Sequence, residues 1–289
     1  MSCTQAHAAY SLVQVASGAW SVRSLAEGET FHPVVGPAAE AEALYVRQLR
    51  IPERAAAVPD EFVVWDVGLG AAANVLAVVR AMGGTPARLR VESFDHTAEP
   101  LRFARSEAER LGYFGGLEHV VDGLLEHRDV EFRQGACTVR WRFHEADFPG
   151  WLRAGDPGVP PPEAILFDAF SPARNPAMWT LDLFQRLHSR VGHRPATLAT
   201  YSRSTLLRVT LLVAGFHVGA GHATGEKEET TVASTEASLA GRLLDDAWLA
   251  RATRSTSAEP LQHPVYQQRP LSPDTRARLE AHPQFRRAA

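Results

Sequence analysis

Residues 63–76, VVWDVGLGAAANVL, set Asp66, Gly68 and Gly70 between an apolar, β-prone run and a helix-forming one. A glycine has no Cβ, so the backbone there can take unusual φ and a ligand can lie against it. The helix that follows aims its free N–H groups and the positive end of its dipole at the same place. Asp95 comes 25 residues after Gly70, at the expected tip of a second strand. A carboxylate there can accept both hydroxyls of a ribose. Together these residues have the chemistry to hold a nucleotide-like ligand. A purely structural reading stands beside it, in which the turn binds nothing and Asp95 caps the next helix.

The spacing Gly68-x-Gly70-x-x-Ala73 fits the dinucleotide fingerprint. It fits equally the looser glycine turn of S-adenosyl-L-methionine (SAM) methyltransferases, which need no pyrophosphate cradle. Two further acidic strand ends follow. His144-Glu145-Ala146-Asp147 closes a hairpin arm, and Glu145 is the first choice to accept an adenine amino group. A solvated strand end explains it as well. The apolar run Ala164–Phe167 ends in Asp168.

These residues need a scaffold, and the patterning supplies one. Strands are expected at 62–67, 88–94, 130–133, 137–143, 164–168, 197–201, 216–219 and 229–233. Helices are expected at 38–49, 71–82, 99–111, 116–127, 181–190 and 204–214. Trp20–Ser24 is expected to pair with Thr30–His32 across Glu27-Gly28-Glu29. Strand and helix alternate from 62 to 214 and a hairpin closes the series. The expected fold class is therefore α/β, a doubly wound, mostly parallel sheet with an antiparallel strand. Residues 1–61 read as a small β/α extension, 62–240 as the ligand-binding domain, and 241–289 as a helix and proline-rich arm.

Composition narrows the function classes. The chain has 289 residues, 45% hydrophobic content, a formal net charge of −3 and a pI near 6.5, so no strongly basic nucleic-acid domain is indicated. No apolar run approaches the roughly 20 residues needed to span a bilayer. The first residues lack a basic run, which makes a poor signal peptide. Cys3 and Cys137 are the two cysteines and form no C-x-x-C pair, so a reducing, cytoplasmic setting is expected. His188 and His193, or His217 and His222, make no convincing ligand set, and no metal is expected.

The stretch Phe167–Trp179, FDAFSPARNPAMW, resembles the methyltransferase half of the MnmC family of transfer-RNA wobble-uridine modification, which also exists in a stand-alone form, MnmD. Four other segments are similar in the same order. They are Gly28–His32 with Gly36 and Glu40, Asp66–Gly70 with Asn74, Ser93-Phe94-Asp95, and Leu198–Tyr201 followed by Ala214-Gly215-Phe216. The resemblance covers about residues 20–235. It implies a class I SAM methyltransferase fold, SAM as cofactor and transfer RNA as partner. The implied reaction methylates the primary amine of 5-aminomethyl-2-thiouridine. Asp66 and Asp95 stand where the family has glutamates, and Gly70-Ala71-Ala72 where it has Gly-Thr-Gly. The acidic run 225–229, GEKEE, replaces a basic one, which weakens the expectation of an RNA partner.

Carried over residue by residue, the resemblance implies that Asp66, Gly68, Gly70, Asn74, Asp95 and Asp168 hold the cofactor, with Glu145 as the added candidate above. Asp168 would hold the acceptor amine and take its proton. Phe170 would face the sulfonium or stack on a flipped base. Asn175 and Trp179 would shape the loop over the site, Arg174 would touch a phosphate, and Tyr201 would form a wall. Core packing for Phe170 and helix capping for Asp168 are the bland alternatives. Two other functions stay open: methylation of a different amine, small molecule or peptide, and a SAM-binding protein without catalysis. The oligomeric state is not legible.

Overall fold

The computed structural model describes residues 9–223 and 228–286. In chain order the elements begin with strands β1 (Tyr10–Gln14) and β2 (Trp20–Ser24) and helices α1 (Pro37–Ala41) and α2 (Ile51–Ala56). Strand β3 (Glu61–Val67), helix α3 (Ala73–Ala81) and strand β4 (Arg88–Asp95) follow. Helices α4 (Glu99–Ser106), α5 (Ala108–Leu111) and α6 (Glu118–His127) lead to strands β5 (Asp129–Gln134) and β6 (Cys137–Glu145). Then come α7 (Phe148–Ala154), β7 (Ala164–Phe167), α8 (Leu181–Val191), β8 (Thr197–Thr200) and α9 (Thr205–Ala214). Strands β9 (His217–Gly221), β10 (Thr230–Ser234) and β11 (Arg242–Leu243) and helices α10 (Asp246–Ala252) and α11 (Pro273–Glu280) complete the described chain.

Among the described residues one sheet carries nine strands in the order β11-β9-β10-β8-β7-β3-β4-β6-β5. Strands β8, β7, β3, β4 and β6 run parallel, while β10, β9, β11 and β5 pair antiparallel at the two flanks. This is the expected α/β class. Both faces of the centre are covered, as a parallel sheet requires. The alternation in β3 shows it: Phe62 and Val64 enter one core with Leu89, Val91 and Leu166, while Val63, Trp65 and Val67 enter the other with Ile165, Phe167 and Leu198.

The strand order reverses beside β3. The chain first moves from β3 to β4 and on to β6, then returns to β7 on the other side of β3. Crevices for ligands open at the carboxyl ends of strands at such a reversal. Val67 is in register with Phe167, so the glycine turn after β3 and the Asp168 loop after β7 emerge side by side.

The N-terminal region departs from its expected pairing. Strand β2 pairs with β1, and its contact with Thr30 shrinks to one bridge from Arg23. His32 has φ 49 and Pro33 has no N–H to donate, so a ladder cannot run on past Phe31. The helix expected over 38–49 starts at Pro37 and passes through a π-helical stretch, Glu42–Arg47. Such bulges recur at functional sites. Farther on, the arm after α10 lies against the body. Thr180 bridges to Leu261, Leu279 is fully buried, and the Gln284 side chain bonds the backbone of Val218 and Leu244.

Candidate active site

The turn after β3 is built by its backbone. Gly68 has φ 97, and a Cβ there would sit 2.7 Å from the Asp168 carbonyl oxygen. Gly70 has φ 49, and its N–H donates to Asp95 Oδ2 at 3.0 Å. Ala72, at φ 62, brings the chain round into α3. The first turn of α3 carries Asn74, whose amide Nδ2 donates to Asp168 Oδ2 at 2.7 Å. Three strand ends, those of β3, β4 and β7, are thereby tied together at one point.

A cavity of about 730 Å³ opens there. Gly68, Gly70, Asn74, Asp95, Asp168, Phe170, Arg174, Asn175 and Tyr201 all line it. Tyr201 donates its hydroxyl to the Ala169 carbonyl at 3.0 Å, which fixes one wall. The Phe170 ring packs against Phe31, with centroids 5.6 Å apart. Arg174 is exposed at the rim.

Three expected site residues sit elsewhere. Glu145 does not line the cavity; it is about 40% exposed and pairs with Arg128 on the outer side of β6. Ala146, Asp147 and Phe148 reach the cavity in its place. Trp179 is fully buried between Phe167 and Tyr201, and its Nε1 donates to the Phe170 carbonyl at 2.8 Å. It braces the loop from behind and does not line the cavity. Asp66 lies beneath the floor, fully buried, and accepts the Ser93 hydroxyl at 2.8 Å.

The N-terminal region contributes residues that the sequence reading left out of the site. Glu29 accepts the Ser171 hydroxyl at 2.5 Å and its backbone N–H at 3.3 Å, latching the loop after β7. Phe31, His32 and Glu40 line the cavity beside it. The Gly28–His32 string with Gly36 and Glu40 was visible as a resemblance, but nothing local to it signals contact with Asp168. Tyr45 is buried on the packing face of its helix and raises no suspicion from spacing.

Burial governs the carboxyl groups. Asp66 is pushed up to about 8 by desolvation, against the favourable Ser93 hydrogen bond. Asp168 is also raised, first by burial; the nearby His32 lowers it, Glu40 raises it, and the Asn74 and Tyr45 side chains lower it. Desolvation likewise raises the phenols of Tyr45 and Tyr201. His96, in contact with Asp95 Oδ1 at 3.1 Å, is raised by that hydrogen bond.

The arrangement fits SAM on its own terms. Gly68 lets the turn pass close against the Asp168 carbonyl, where a Cβ would collide, and Asp95 lines the cavity at the tip of β4. Asn74 Oδ1 is buried at the cavity wall without a hydrogen-bond partner, an acceptor suited to an ammonium. Among the described residues, no group of three or more His, Cys, Asp or Glu could hold a metal ion. No helix there is long and apolar enough to cross a membrane.

Comparison with known proteins agrees with the geometry. Residues 117–236 match the model of a family described as S-adenosyl-L-methionine-dependent methyltransferase. The chain is 29% identical over 218 residues to the tRNA 5-methylaminomethyl-2-thiouridine biosynthesis bifunctional protein MnmC of Cupriavidus metallidurans, covering 71% of this chain and 31% of that one. It is 30% identical over 207 residues to the Aeromonas hydrophila protein of the same name, covering 66% and 30%. The chain thus spans about a third of the length of these relatives. Its fold is that of MnmC2 from Aquifex aeolicus, with a TM-score of 0.68, 24% identity and coverage of 87% of this chain and 78% of that one. A glycine turn at the strand-order reversal, the Asp168 loop beside it and these likenesses point the same way: the chain is similar in sequence to MnmC proteins and to S-adenosyl-L-methionine-dependent methyltransferases, and it has the fold of MnmC2.

Proposed function

We propose that the chain methylates a primary amine on the wobble uridine of transfer RNA, the step that would complete 5-methylaminomethyl-2-thiouridine. Residues 62–240 would form the catalytic unit, with 1–61 and 241–289 as flanking parts, and the partner RNA implies a cytoplasmic reaction. The observation that carries the reading is Asp168. It lies in the same cavity as the glycine turn, fixed by Asn74 and 16% exposed.

When bound, SAM supplies a methyl group already activated on a sulfonium. The chain's residues must then orient an amine, remove its proton and exclude water. Asp168 holds the ammonium form and accepts its proton at the carboxylate. Asn74 prevents the carboxylate from turning away. Phe170, backed by Phe31, shields the reacting atoms and offers a face to the cation or to a base. Asn175 starts the short helical turn that positions this loop, and Arg174 at the rim is free to meet a phosphate. The latch from Glu29 to Ser171 keeps the loop closed over the site.

The lining favours an amine whatever carries it. Glu27, Glu29, Glu40, Asp95, Asp147 and Asp168 outnumber Arg23 and Arg174. A small free amine would meet the same carboxylates and is the second reading. The acidic run 225–229 bears less on the choice than its composition suggests. Residues 224–227 lie outside the described residues, and Glu229 is engaged by Arg208 at 2.8 Å and Arg242 at 3.2 Å.

The test is methyl transfer from labelled SAM to transfer RNA lacking the final wobble methyl, with wild type and Asp168→Ala in parallel. Label in the wobble nucleoside with wild type, lost in the variant, supports the assignment. SAM binding by calorimetry without transfer to RNA, together with transfer to small amines, would favour the second reading.

A further inference from the structure

His32 stands between two carboxylates that come from different parts of the chain. Its Nε2 is 3.7 Å from Asp168 Oδ2 and its Nδ1 is 3.8 Å from Glu40 Oε1. The His32 and Glu40 side chains are 8% and 6% exposed, so solvent screens these contacts little. The ring reaches this position because His32 takes φ 49 after the bridge at Thr30, and Glu40 meets it from the first turn of α1.

Several groups act on Asp168. Glu40 opposes its ionised form, as do Asp66 and Tyr201 when they carry charge, while the Asn74 amide and the Tyr45 hydroxyl favour it. Of these groups and His32, the imidazole is the one able to bring a positive charge. Without it, the charge of Glu40 would strengthen the hold of Asp168 on a proton. Asp168 would then already hold the proton it should take from the amine.

We propose that His32, oriented by Glu40, is a positioning residue that in its protonated form keeps Asp168 a carboxylate directed at the acceptor amine. This rests on the reading of Asp168 as the partner of that amine. The proton of the ammonium passes to the Asp168 carboxylate. The freed nitrogen lone pair forms the C–N bond as the C–S bond breaks, and the electron pair of that bond stays on sulfur. The Asp168 proton leaves to water when the site reopens. His32 keeps its own proton throughout, and its charge matters most in the step before transfer.

The test compares wild type, His32→Asn and His32→Lys in the full chain. Asparagine tolerates the left-handed backbone but carries no charge, and lysine restores a cation. One readout is the Asp168 carboxyl signal in protein labelled with carboxyl-¹³C aspartate, assigned with Asp168→Asn and titrated by NMR. The other is kcat and KM against pH on amine-bearing transfer RNA. The expected result for His32→Asn is an Asp168 titration and an acid limb of kcat both moved upward by about one pH unit or more. At high pH its kcat recovers, its KM for SAM is unchanged, and His32→Lys reverses part of the shift. An unmoved Asp168 titration, or a kcat lowered equally at every pH, would overturn the proposal. If wild type transfers no methyl to the RNA, the proposed function falls, and the NMR titration still decides the role of His32.

Discussion

The Asn74 amide donates to the Asp168 carboxylate over 2.7 Å, joining the first turn of the helix after the glycine turn to the loop after β7. One contact thus couples the element that would cradle the cofactor to the residue that would receive a proton. Any movement of the turn is felt at Asp168, and the reverse.

Asp168→Asn separates these two duties. The variant keeps an oxygen to accept from Asn74 but cannot take a proton. Methyl transfer in single-turnover experiments is expected to fall by roughly 10²–10⁴-fold, the usual contribution of a positioned base. Binding of S-adenosylhomocysteine by calorimetry is expected to persist. A variant that still transferred at the wild-type rate would remove Asp168 from the chemistry.

The turn itself can be probed at two neighbouring glycines. In Gly68→Ala the new Cβ meets the Asp168 carbonyl at 2.7 Å, a backbone atom with no freedom to withdraw, and φ 97 is strained for any L side chain. In Gly70→Ala it meets the edge of the Phe31 ring at 3.2 Å, which can shift. Gly68→Ala should cost roughly 2–4 kcal/mol and abolish cofactor binding; Gly70→Ala should cost less. Thermal melts and calorimetry rank the two. Equal stabilities would show that the close approach of β3 and β7 is not what constrains Gly68.

Much of this was legible before the structure. The near-continuous apolar runs Phe62–Val67 and Ala164–Phe167 specify strands buried on both faces, because such a strand has no solvent side to keep polar. The contacts from the N-terminal region were not legible. His32, with Glu40 on its other side, meets Asp168 across more than a hundred residues, and no local pattern encodes a pairing at that range. Motif residues were legible as a string but not in their duties. Trp179 is kept in the string and yet faces the core, since holding a loop and touching a ligand leave the same letters. Glu145 shares the parity of Trp141 and Phe143 in β6, which directs it to the side where Arg128 lies over Phe143.

That placement of Glu145 has a simple consequence. Its ion pair with Arg128 is substantially exposed, and such pairs contribute about 0–1 kcal/mol. Glu145→Ala should leave SAM affinity and the melting temperature nearly unchanged. A large loss of affinity in titration would return Glu145 to the cofactor site and contradict the position of the β6 end.

Asp66 makes stability depend on pH in a direction opposite to most carboxylates. Its folded-state value of about 8 lies far above the ordinary 3.8. Below about 4, folded and unfolded chains both hold the proton. Between about 4 and about 8 the unfolded chain has released it and the folded chain has not, so the folded state loses stability as pH rises through that window. The difference amounts to roughly 6 kcal/mol at most, at about 1.36 kcal/mol per pKa unit. Asp66→Asn removes the titration and keeps an oxygen for Ser93. Denaturant unfolding of wild type should weaken from acid to alkaline pH more steeply than that of Asp66→Asn, whatever the absolute stability of the variant. Parallel pH slopes for the two proteins would show that Asp66 is ionised in the folded state, and the floor of the cavity would then carry a charge that its surroundings would have to offset.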